Sequence, residues 1–195
     1  MSNLEIARES ILGHAVAFAS AHGIKSLSLG GVARELAVPK SRLFDIFPSN
    51  DALQLAVLDH AATLFGREVI DAVPQTPGGA TRITALFTRW LNWSRSPRLS
   101  RSCPFVQASA EGTDLPPLIK AKLSEILDQW TSILRDTVEE AKASGGLRSD
   151  LNSDQFVFEL YGLYLSHHFW HWSMRDATAR DKTMKAFDRL MGDAR

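Results

Sequence analysis

The sequence predicts an all-α chain of about nine helices, a lean three-helix head followed by a larger, aromatic-rich helical body. Three observations carry that prediction. Apolar residues recur at three- and four-residue spacing along nearly the whole chain, and no stretch shows the period-two alternation of a half-buried strand. No proline occurs after Pro117, which leaves room for long uninterrupted helices. All five tryptophans and both tyrosines lie after residue 80, whereas the first 50 residues hold only Phe18, Phe44 and Phe47.

Taken in order, Ala7, Ile11, Ala15 and Phe18 form the inner face of a first helix, residues 3–21, which ends before Gly23. Ser28 stands where a hydroxyl caps a second helix, whose stripe is Leu29, Val32, Ala33 and Leu36. A third helix opens at Pro39, whose fixed φ suits a first helical position. It points Leu43 and Phe47 one way and leaves Lys40, Ser41, Arg42 and Asp45 free. Ala33 and Ala37 are small where the two short helices approach, and Val38 plugs the corner. Residues 28–47 therefore read as a helix-turn-helix.

Ser49 caps a long fourth helix running through Leu53, Val57, Leu64 and Phe65 to about Val73. The breaker cluster PQTPGG, residues 74–79, follows. Beyond it the pattern gives helices over about 80–95, 101–110 and 115–143, the last stopping at Gly145 and Gly146. Asn152 or Ser153 caps a helix over about 154–174, and a final helix spans about 177–191.

At 195 residues with 45% apolar content the chain can bury a substantial core. It has no apolar run long enough to span a membrane and no signal-peptide pattern, so a cytoplasmic location is expected, with no membrane partner. The single cysteine, Cys103, excludes an internal disulfide. Formal net charge is zero, and residues 1–50 hold five basic and four acidic side chains, not the basic footprint of a strong non-specific nucleic-acid binder. Any DNA contact must come from the motif's geometry.

From Ile11 to Leu53 the chain resembles the N-terminal domain of the TetR/AcrR family of bacterial transcriptional regulators. The matching features are Ala17 and Phe18, Gly23, and LSLGGVARELAVPKSRLFDIFPSNDAL, residues 27–53. Members usually read close to GVSKGTLYYHFPSKEAL where this chain reads AVPKSRLFDIFPSNDAL. The resemblance implies a DNA-binding domain over 1–50 and a ligand-binding and dimerisation domain over 51–195, linked through the fourth helix. It implies a repressor binding a pseudo-palindromic double-stranded operator as a homodimer, and released by a small effector.

On that resemblance the DNA contacts are Ser28, Lys40, Ser41, Arg42, Phe44, Asp45 and Asn50. Arg42 offers a fork to guanine O6 and N7, Lys40 sits on phosphate, and Ser28 both caps and touches phosphate. The chain also departs from the family. Ala37 replaces the usual turn glycine, acceptable if its φ stays negative. Phe44 replaces a tyrosine and loses its hydroxyl, Asn50 replaces a phosphate-facing lysine, and Asp45 must read a cytosine amino group or pair with Arg42. Those changes keep open a helical binding module of weakened DNA affinity.

The body offers Trp90, Trp93, Phe105, Trp130, Leu134, Phe158, Tyr161, Leu165, His168 and Trp172 as the lining of an apolar cavity for a hydrophobic or aromatic effector; the competing reading is ordinary core. The last two helices are expected to build the homodimer, with Gly162 at a close approach flanked by Phe158, Leu165 and Phe169. His167, His168 and His171 lack supporting ligands, so no metal is expected. Cys103, with Arg98 and Arg101 close in sequence, is an alternative as a redox or electrophile sensor. No nucleophile–base pair, phosphate loop or paired-carboxylate motif points to an enzyme or a cofactor.

Overall fold

The computed structural model describes residues 3–74 and 79–195, so residues 75–78 of the predicted breaker lie outside the described residues. The described residues form helices α1 (Asn3–His22), α2 (Leu29–Glu35), α3 (Lys40–Ile46), α4 (Asn50–Phe65), α5 (Ala80–Trp93), α6 (Pro104–Glu111), α7 (Pro117–Ala143), α8 (Ser153–His168) and α9 (Ala179–Asp193). The all-α class and the predicted helix order are both found. None of these helices is long and apolar enough to cross a membrane.

Two predicted helices end differently. The fourth was expected to reach Val73 and the eighth residue 174. Instead α4 passes at Gly66–Ile70, and α8 at Phe169–Ser173, into a π turn. The wider i→i+5 turn inserts one residue into the helical repeat and shifts the faces beyond it.

Helix ends follow local chemistry. Gly23 ends α1 at φ +84°, its N–H bonded to Ala19 O at 2.9 Å. The inner face of α1 is Ile11, Leu12, Ala15, Val16 and Ala19, which keeps Ile11 and Ala15 of the expected set, while Ala7 and Phe18 are only half-buried. The Ser49 hydroxyl accepts from Ala52 N–H at 3.1 Å at the start of α4. Of the two candidate caps for α8, Asn152 does the work, accepting from Gln155 N–H at 3.0 Å. After α7, the Gly146 N–H returns to Ala141 O at 2.8 Å, satisfying a carbonyl that the helix end leaves open.

The chain divides into two compact units, residues 1–65 with 95–126, and residues 66–94 with 127–195. In the first, α1 packs on α4 and α6, and α2 packs on α3. In the second, α8 packs on α9 and α5.

Candidate nucleic-acid interface and effector core

The helix-turn-helix corner is built from the start of α2 outward. Ser28, in extended conformation, accepts from Gly31 N–H at 3.1 Å, the cap its position predicts. A second cap comes from further along the chain: Asn50 Oδ1 accepts from Leu29 N–H at 2.9 Å. The residue that replaces a lysine is thus committed through its carbonyl to holding α2. Buried Gln54, one turn on, donates to Leu27 O at 3.0 Å. Both bonds fix the main chain entering α2 against the first turns of α4.

The turn corrects one expectation. Ala37 has φ +52°, in the left-handed region, not at the negative φ anticipated. A Cβ there meets the following carbonyl, at about 1–2 kcal/mol for an L-residue. The turn closes nonetheless, with Val38 N–H bonded to Ala33 O at 3.0 Å. Only Ala33 is buried at the approach; Ala37 is exposed. Pro39 stands at the N-cap of α3, one residue before the predicted first helical position.

Helix α3 then presents two faces. Leu43 and Phe47 are fully buried, and the Arg8 guanidinium lies 5.6 Å over the Phe47 ring. Lys40, Ser41, Arg42, Phe44 and Asp45 are exposed, as is Asn50. Arg42 and Asp45 form no ion pair with each other, so both are open to an external partner. The Lys40 ammonium sits 5.4 Å from the Phe44 ring centroid.

A second set of contacts within the first unit fixes the turn between α1 and α2. Lys25 N–H donates to both Glu111 carboxylate oxygens, at 3.3 and 3.2 Å, and Lys25 Nζ pairs with Asp114 at 3.1 Å. A Cβ on Gly23 would fall 1.9 Å from Glu111 Oε1, so only glycine leaves room for this carboxylate. Burial pushes the Glu111 carboxyl above its ordinary pKa, opposed by the Lys25 and Ile24 amides and the Lys25 charge. Nearby, fully buried Ser20 accepts from Ser100 N–H at 2.9 Å through its hydroxyl, and its carbonyl accepts from the Ser102 hydroxyl at 3.2 Å. Nothing in the local sequence around Ser20 or Glu111 marks them, because their partners lie about 80 residues away.

In the second unit the expected effector residues divide. Trp90 is the hub: its ring stacks on Tyr164 at 4.0 Å and meets Tyr161 and Trp130 edge-on at 4.9 and 5.1 Å. Trp93 and Leu134 are also buried. His168 and Trp172 are half-buried, and His168 Nε2 and Trp172 Nε1 are enclosed with no hydrogen-bond partner within the protein. Burial, then the charges of His167 and His171, lower the His168 pKa to about 4. Phe158 and Leu165, by contrast, are 72% and 44% exposed, on the side of α8 opposite buried Leu160, Tyr164 and His167. They do not join the cluster. Phe105 belongs to the first unit, where its ring meets Phe65 edge-on at 5.9 Å.

Cys103 is buried at the N-cap of α6, a position without the access a sensor thiol needs. The His167 and His171 rings stack at 5.4 Å, and among the described residues no group of three or more potential metal ligands is gathered.

Residues 79–187 match the family model described as the tetracyclin repressor-like C-terminal domain, more than half of the chain. The chain belongs to the TetR family of transcriptional regulators. Solved TetR-family structures share the fold over nearly the full length. A regulator from Chloroflexus aurantiacus superposes with a TM-score of 0.85 at 19% identity, covering 98% of this chain and 96% of that one. A regulator from Streptomyces coelicolor gives 0.79 at 20% identity, covering 96% and 95%. The reduced form of NemR from E. coli gives 0.77 at 18% identity, covering 93% and 96%. No curated protein matches the sequence. In this TetR-family chain the family model covers α5 to α8 and most of α9, while the quoted head motif lies before it.

Proposed function

We propose that the protein is a cytoplasmic, ligand-responsive transcriptional repressor that binds a pseudo-palindromic DNA operator as a homodimer and is released by a small hydrophobic effector. Residues 1–50 read DNA, and residues 51–195 bind effector and dimerise. The observation that carries this reading is the two-faced α3, with Leu43 and Phe47 buried beneath an exposed row of Lys40, Ser41, Arg42, Phe44 and Asp45. A helix anchored by two apolar side chains and open along its polar side is the form that enters a major groove. Lys40 then contacts phosphate, Arg42 reads guanine, and Ser28 approaches phosphate beside the start of α2. Asn50, through the amide group its cap leaves over, is a further backbone contact.

Dimerisation rests on the outer side of α8. Phe158, Gly162, Leu165 and Phe169 share one helical face, and the three large ones are 72%, 44% and 52% exposed. Apolar rows of this kind mark interfaces. On this reading Phe158 and Leu165 belong to the dimer face, while the Trp90 cluster with His168 and Trp172 forms the effector site. His168 Nε2 and Trp172 Nε1 are its two open polar points.

The test is binding of the purified chain to duplexes selected from a random pool, followed by anisotropy across a salt series. A repressor gives a negative slope of log K against log salt; a flat response removes the reading. Gly162 separates the dimer claim from helix propensity, since a Cβ there meets nothing within 4 Å in the protomer. Gly162→Ala therefore raises protomer stability by about 1 kcal/mol yet weakens association by light scattering. A variant that dimerises as tightly as the parent overturns the interface.

A further inference from the structure

Phe44 is the one large apolar side chain exposed on α3, and with Leu118 the only such residue in the first unit among the described residues. Its ring is 48% exposed and has the Lys40 ammonium 5.4 Å from its centroid. The Lys40 stem lies back over the start of α2, where its Cε is 3.8 Å from the position a Cβ on Gly30 would occupy. The Lys40 side chain therefore runs past Gly30 with its ammonium near the Phe44 ring, and about half of Phe44 stays open to solvent.

A phenyl ring has no donor for a phosphate oxygen and no acceptor for a base amino group. In the major groove the one base-specific apolar feature is the C5-methyl of thymine. Asp45, next along the helix and exposed, is repelled by phosphate, which favours seating this part of α3 toward base edges. Resting on the DNA-binding reading above, we propose that Phe44 is a specificity-determining residue that reads a thymine methyl in each operator half-site, with Lys40 held against its ring for the adjacent phosphate.

The experiment replaces each thymine of a selected operator in turn by deoxyuridine, which removes only the methyl group, and measures affinity for the full chain and for Phe44→Ala. Burying one methyl-sized group corresponds to about a fourfold change in affinity per half-site, so about sixteenfold when both symmetry-related thymines are replaced. Loss confined to one thymine position per half-site in the parent, and absent in Phe44→Ala, supports the proposal. Sequence-specific binding that is indifferent to every such replacement, or equally sensitive in both proteins, overturns it and leaves the repressor reading standing. Failure to bind any selected duplex overturns both. Since Phe44 is exposed, circular dichroism of Phe44→Ala should match the parent, which separates a contact from a fold defect.

Discussion

In the first unit polar side chains reach across the chain to main-chain atoms: Asn50 to Leu29, Gln54 to Leu27, Glu111 to Lys25, and Ser20 to Ser100. In the second unit rings meet rings, with Trp90 against Trp130, Tyr161 and Tyr164, and Phe87 stacked on Phe187 at 4.5 Å. Ring packing is broad and contributes through area and dispersion. A hydrogen bond to an amide contributes about 1 kcal/mol but fixes direction to within a few tenths of an ångström. The difference teaches a division of labour: the body is built for stability, the corner for placement.

The largest expected effect breaks that comparison most directly. Trp90→Ala removes the hub of the aromatic cluster and should lower unfolding free energy by about 3–5 kcal/mol in urea titration. A loss no greater than that from deleting a single clamp in the first unit would end the contrast.

Glu111→Ala should cost only about 1–2 kcal/mol, yet accelerate amide hydrogen exchange at Lys25 and weaken operator binding. Glu111→Gln, which keeps an acceptor, should restore most of both. Equal effects of the two substitutions would show that the carboxylate's charge matters and not its reach to the amides.

Ala37→Gly works in the other direction. Relief of the left-handed alanine outweighs the added chain entropy of glycine, a net stabilisation of about 0.5–1 kcal/mol. A melting temperature that falls instead would place this turn outside the strained class.

The last effect is confined to pH below neutral. His168 has a folded pKa of about 4 against an ordinary 6.5, so the unfolded chain takes up its proton first. Its contribution is fully present above pH 6.5 and is lost as pH falls toward 4. His168→Gln should flatten that part of the melting-temperature profile, and superimposable profiles would show that other groups carry the acid sensitivity.

Local chemistry made the fold legible. Ser28 as a cap, Gly23 and Gly145–Gly146 as stops, and Leu43 with Phe47 as a buried pair each depend on neighbours within a turn or two. What escaped depends on distance or on conformation. The cap that Asn50 places on α2 escapes a local reading because its partner Leu29 is 21 residues away. At Ala37 two signals conflict: the family's usual glycine points to a positive φ and alanine's own preference to a negative one, and the turn follows the glycine. Phe158 and Leu165 were grouped with the Trp90 cluster because apolar spacing gives a helix face without saying what covers it. The π turns at Gly66 and Phe169 left no mark in the hydrophobic pattern, which carried on through both.

Because the Leu29 N–H is tied to Asn50 Oδ1 and Leu27 O to Gln54 one turn on, the chain entering α2 is fastened to α4 at two points, like a plank nailed twice. Two fastenings resist pivoting where one would not. Since α2 packs on α3, the first turns of α4 are the natural handle for the groove-facing helix.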